Sequence, residues 1–165
     1  MKLSRGSTSL LVVVGIFGLY RAAGEIERDF SKLQRTIDAR ETELRKFLHD
    51  RNCPVEESAG VFIAEADEHH LDWRLLPSLA FIESTGGKFA HYNNLFGWHN
   101  GTSRFVTRRE AIHQVALAMA EGPAYKGKDL RGKLWSFNQS EEYRRIVVQI
   151  MEQISPGSRE LSLGD

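Results

Sequence analysis

The stretch DWRLLPSLAFIESTGGKFAHYNNLFGW, residues 72–98, decides how this chain is read. Asp72 is a good helix N-cap, because its carboxylate accepts from the free N–H groups of a first turn. At 3.6 residues per turn, Leu75, Leu76, Leu79, Ala80 and Ile82 share one apolar face. Pro77 falls early, where it either kinks the helix or marks a later start. Gly86-Gly87 ends the helix, as glycine does where a left-handed residue is required. Glu83 follows Leu76 by seven residues, Leu79 by four and Ala80 by three, so it falls on the apolar face. Unpaired carboxylates are rarely buried, and desolvation there disfavours the charged form. A carboxylic acid held protonated can protonate a leaving oxygen. Spacing alone allows equally a Glu83 that is exposed in the last turn or paired with an arginine.

The loop that follows, His91 to Gly101, interleaves Tyr92, Phe96 and Trp98 with Asn93, Asn94, Asn100 and glycines. Rings stack on the apolar faces of sugars, and amides hydrogen-bond hydroxyls and acetamides. The alternative is a loop packed on its own Phe96 and Trp98. Asn100-Gly101 is a turn signal and fits a small hairpin.

Outward from this centre the chain reads as helices. Glu57 to His70 carries Val61, Phe62, Ala64 and Ala66 among charges. His69-His70 closes it, and positive charge is favoured at a helix C-terminus. No second ligand pair stands near, so no metal is expected. Thr107 with Glu110 is a capping box that opens a helix through Met119, stopped by Gly122-Pro123. Glu110-x-x-His113 is half of a di-iron pattern without its second copy. A Gly/Lys loop from Tyr125 to Gly132 leads into a short helix over Leu130–Phe137. Ser140 caps a last helix with the stripe Tyr143, Ile146, Val147, Ile150, Met151 and Ile154, and Pro156-Gly157 ends it.

Before residue 54 the composition shifts. Lys2 and Arg5 precede the apolar run Leu10–Tyr20, the pattern of an export signal or an uncleaved anchor within residues 7–24. Residues 25–53 form a charged helical spacer with Ile26, Phe30, Leu33, Ile37, Leu44 and Phe47 at heptad-like spacing. Two readings follow: one amphipathic helix, either lying on the domain or projecting from the membrane, or weak self-association through 26–47. Residues 54–156 then form the globular domain, and 157–165 a loose tail. Lys+Arg and Asp+Glu number 22 each, so the formal charge is zero and a phosphate-binding surface is not expected. Cys53 is the single cysteine, which excludes an intrachain disulfide and leaves a free thiol or a small packing residue.

These segments in this order resemble a known family. Asp72-Trp73-Arg74-Leu75-Leu76-Pro77, Ile82-Glu83-Ser84, Gly86-Gly87-Lys88 and Asn93-Asn94-Leu95-Phe96-Gly97-Trp98 carry the resemblance. Phe105, Gly122-Pro123-Ala124-Tyr125, Phe137-Asn138 and Tyr143 extend it, over Glu57 to Ile154. The chain is similar to the lysozyme-like glucosaminidases, the family 73-type (mannosyl-glycoprotein) endo-β-N-acetylglucosaminidases of bacterial cell walls. Ile-Glu-Ser also looks like soluble lytic transglycosylases, whose Gly-Leu-Met-Gln segment is replaced here by Asn-Asn-Leu-Phe-Gly.

The resemblance implies a small, mostly α, lysozyme-like domain that cleaves β-1,4 bonds of peptidoglycan or another N-acetylglucosamine polymer. It implies no cofactor and an exported location, membrane-anchored or secreted. Glu83 takes the place of the catalytic acid. Ser84, Asn93, Asn94, Phe96, Trp98, Tyr125 and Tyr143 are expected to bind substrate. No second carboxylate stands in a recognisable motif; Glu110, Glu121 and Asp129 are the candidates. Substrate assistance by the sugar's acetamide removes the need for one. A lytic transglycosylase and an inactive wall-binding module are the alternatives.

Overall fold

A computed structural model describes residues 38–156. The expected export or anchor segment, the first half of the spacer and the tail lie outside the described residues. The described part is mostly α, with six α-helices and no strand. In chain order these are α1 (Ala39–Asp50), α2 (Ala59–Glu68), α3 (Leu75–Ser84), α4 (Arg108–Glu121), α5 (Leu130–Phe137) and α6 (Glu141–Ile154). Short 3₁₀ turns stand at Glu56–Ser58 and His91–Asn93. None of the described helices is long and apolar enough to cross a membrane.

Local chemistry sets most helix ends. Thr107 Oγ1 accepts the Glu110 N–H, Asp129 Oδ1 accepts that of Gly132, and Ser140 Oγ that of Tyr143. Each satisfies a donor that a first helical turn leaves free. Glu110 reaches back to the Val106 N–H at 2.7 Å, one residue before the cap. At α3 the expectation shifts by two residues. Arg74 holds the N-cap position, while Asp72 Oδ1 accepts the Arg74 N–H at 2.9 Å and so opens the turn that leads in. Pro77 is the third residue of α3, where no helical acceptor awaits its missing N–H, so the later start accommodates it inside the first turn. Asn100-Gly101 turns without a hairpin: Gly101 N–H bonds Gly97 O and Ser103 N–H bonds Trp98 O, closing a loop with no strand pairing.

The core gathers one face from each helix: Phe62 from α2, Leu75, Leu76 and Leu79 from α3, Ile112, Val115 and Met119 from α4, Leu134 from α5, Val147 and Met151 from α6. α2 packs on α4, α3 on α6, and α1 on α2 and α6. This last contact carries the packing across the expected boundary at 53/54. Leu44, Phe47 and Leu48 of α1 are buried in the same core. The second half of the charged stretch is therefore an amphipathic helix lying on the domain. Its Leu44 and Phe47 are covered by this chain and are not open to a partner helix.

Two buried groups tie the ends together. The Arg74 guanidinium, fully buried, holds Asp72 through Nε–Oδ1 at 3.0 Å and Nη2–Oδ2 at 2.6 Å, and donates to Ser155 O at 3.0 Å. It thus pins the start of α3 to the end of α6. Cys53 is buried beside Gly86, and burial pushes its thiol up from the ordinary value. Gly86 has φ +61°, and a Cβ there would lie 2.5 Å from Cys53 Sγ. Glycine is required at 86 by both its backbone and its neighbour.

Candidate active site

Glu83 lies in the last turn of α3, which ends on Thr85 in the left-handed region (φ 52°, ψ 50°). A β-branched residue rarely adopts that conformation, and such backbones concentrate at functional sites. The turn is held from below. Ser84 Oγ lies 3.0 Å from Ala80 O and 2.8 Å from Leu95 O and accepts the Gly87 N–H at 3.0 Å.

The expected burial of Glu83 is not found: the residue is exposed. Its angle on the helix is as read, in register with Leu76, Leu79 and Ala80, all fully buried. Burial differs because the core stops one turn earlier and a cleft begins there. The cleft holds about 730 Å³, within the roughly 300–1,000 Å³ usual for ligand sites. Glu83, Gly97, Trp98, Tyr125, Phe137 and Asn138 are among its lining residues.

A row of rings runs along it. Trp98 stacks on Tyr125 with centroids 6.1 Å apart and meets Phe137 at 5.9 Å; Phe137 stacks on Tyr143 at 5.9 Å. The row ends in a hydrogen bond, Tyr143 O–H donating to Glu83 Oε1 at 2.6 Å. Burial, and then the bond to Glu83 and its charge, hold the Tyr143 hydroxyl far above the usual phenol range. It therefore stays a donor. Burial also raises the Tyr125 hydroxyl. With Oε1 engaged, Oε2 is the oxygen left for a ligand. Gly97 stands beside it: a Cβ there would come within 3.1 Å of Oε2, so the missing side chain keeps that approach open.

Trp98, Tyr125 and Tyr143 are thus brought together around Glu83, and Phe96, although 1 % exposed, also borders the cleft. Ser84, Asn93 and Asn94, expected to bind substrate, are engaged within the protein instead. Ser84 is buried and spends its hydroxyl on backbone. Asn93 Nδ2 donates to Phe105 O and Val106 O, both at 3.0 Å. Asn94 is buried; its Oδ1 accepts the Trp98 N–H at 2.8 Å and its Nδ2 donates to Trp98 O at 3.1 Å. These groups build the loop and fix Trp98. None of the three borders the cleft. Gly97, His99 and Asn138 do, and were not expected there. For Asn138 a signal existed: Phe137-Asn138 immediately precedes the last helix cap.

Among the described residues bordering the cleft, Glu83 is the one carboxylate. Glu110 is engaged with Val106 N–H and Asp129 caps α5. Glu121 is exposed at the end of α4 and does not border the cleft.

No protein-family model, curated protein or solved structure matches this chain.

Proposed function

We propose that the chain is a glycosidase of the lysozyme-like glucosaminidase type, cutting β-1,4 bonds of peptidoglycan with Glu83 as general acid. The observation that carries this is the single carboxylate at the end of an aromatic row, with one oxygen held by Tyr143 and the other open beside Gly97. The rings of Trp98, Tyr125 and Phe137 offer stacking faces for successive sugars. A bound saccharide would displace water from Glu83, supplying in the complex the desolvation that the free cleft lacks.

Glu83 Oε2 then hands its proton to the glycosidic oxygen as the C1–O bond breaks. The neighbouring acetamide oxygen closes on C1; water then attacks C1, reopens the ring and returns a proton to the Glu83 carboxylate, giving the hydrolysed product and restoring the acid. This substrate-assisted route is a recognised exception to the two-carboxylate scheme, and it suits a cleft with one carboxylate. The same feature supports a second reading, a lytic transglycosylase, in which a sugar hydroxyl attacks C1 in place of water. The basic, apolar start of the chain supports an exported location.

Zymography on cell-wall substrate with wild type and Glu83→Gln tests the acid. Clearing by the wild type and its loss in the variant are expected; equal clearing by both refutes the assignment. Mass spectrometry of the products separates reducing ends from 1,6-anhydro ends. Saccharide binding without any new ends points to a wall-binding module.

A further inference from the structure

A second cleft, of about 580 Å³, opens between α2 and α4 and shares no lining residue with the first. Glu65 and His113 border it, and with His69 behind them they bring three metal-binding atoms within 4.8 Å of one another. Glu65 and His69 are four residues apart, Glu65 on α2 and His69 at its C-cap, so both project from one face. His113 arrives from the facing surface of α4. The side chains of Glu65 and His69 are 12 % and 9 % exposed, that of His113 46 %.

The hydrogen bonding is incomplete. His113 Nδ1 lies 2.8 Å from Glu65 Oε2. His69 Nε2 faces the same oxygen at 3.7 Å, too far for a hydrogen bond, and this buried nitrogen has no hydrogen-bond partner among the described residues. A buried polar atom normally finds one. A cation held between this nitrogen and the Glu65 oxygen would satisfy both.

We propose that Glu65, His69 and His113 bind one divalent transition-metal ion of the zinc class. Two imidazoles and a carboxylate are a donor set suited to zinc, whereas magnesium and calcium favour oxygen alone. Ligand atoms around a tetrahedral ion with bonds of about 2.0–2.1 Å stand about 3.4 Å apart. The separations of 2.8 Å and 3.7 Å to Glu65 Oε2 bracket that distance, so small side-chain turns would bring the cluster to it. Arg109 borders the cleft too, offset by Glu68 and Glu110. The ion would clamp the end of α2 to α4. Sequence spacing missed it because His113 lies 44 positions beyond His69.

The test is calorimetric titration of the untagged, chelator-treated full chain with Zn²⁺ alone, alongside His69→Gln and His113→Asn. One ion per chain is expected, with a rise in melting temperature. Binding should weaken at least about tenfold in each variant and stay unchanged in Glu83→Gln. His113 is half exposed, so His113→Asn decides the matter even if His69→Gln fails to fold. Absence of saturable binding at one equivalent overturns the proposal. So does wild-type affinity in His113→Asn, which would place the ion on other histidines.

Discussion

Replacing Tyr143 by phenylalanine removes one oxygen from the candidate active site and little else. The ring keeps its stack on Phe137 at 5.9 Å, while the 2.6 Å bond to Glu83 Oε1 is lost. As Glu83 gives up its proton the acceptor becomes charged, and a hydrogen bond to a charged acceptor contributes about 1.5–3 kcal/mol. Glu83 is exposed, so water can replace the hydroxyl, and the low end of that range applies. About 1.5 kcal/mol corresponds to roughly a tenfold loss in rate. The loss should fall on kcat, because the bond orients the acid and leaves Trp98 and Tyr125 free to bind sugar. KM should stay within about twofold. Thermal stability should barely change, since the hydroxyl's partner can turn to solvent. The assay is release of new ends from purified cell walls, with Glu83→Gln as the inactive reference. An unchanged kcat in Tyr143→Phe, with Glu83→Gln inactive, would refute the claim that this bond aims the acid.

Arg74→Met should destabilise the domain by about 3 kcal/mol, since a fully buried guanidinium leaves Asp72 and Ser155 O without their donor. That is roughly a 10 °C drop in melting temperature, and a drop under about 3 °C would contradict the anchoring role. Alkaline pH should also destabilise the fold. The Cys53 thiol and the Tyr125 and Tyr143 hydroxyls are raised above ordinary values of 9.0 and 10.0. Their contribution is complete below about pH 9. It falls as pH rises further, because the unfolded chain releases these protons while the folded one retains them. Lys133, lowered by desolvation while donating to Met119 O and Tyr125 O, acts in the opposite sense and offsets part of the loss. Denaturant melts at pH 8 and pH 10.5 measure the net slope. Cys53→Ala should flatten its lower end, and a slope unaltered by that change would remove the thiol from the explanation.

What could be read from the residues and what could not divides along physical lines. Thr107 and Ser140 cap helices through bonds three residues long, and local bonds leave local signatures; Asp129 caps in the same way but reads in sequence only as a loop carboxylate. The stripe of α6 names Val147, Ile150, Met151 and Ile154 of its buried face for the same reason, while Ile146 is exposed and Arg144 takes a buried place. Glu83 shows where periodicity stops informing. A helical wheel gives the direction of a side chain but not the height at which the core ends, and one turn separates buried Leu79 from the exposed acid. Ser84, Asn93 and Asn94 show a second boundary. Amides and hydroxyls beside aromatic residues look free for a ligand in sequence. A turn with several left-handed residues has its own backbone groups to satisfy, and these claim the side chains first. Buried Arg74, the His69–His113 pairing and the burial of α1 are long-range facts, written in no local pattern.

The contact between Gly86 and Cys53 has a mechanical consequence. Val55 N–H also donates to Gly86 O at 3.1 Å, and Lys88 Nζ to Arg51 O at 2.9 Å. The loop leaving α1 and the turn leaving Glu83 therefore meet with no clearance. Two segments in such contact move as one rigid joint. A tilt of α1 is passed to the end of α3, and from there to the carboxylate three residues before Gly86.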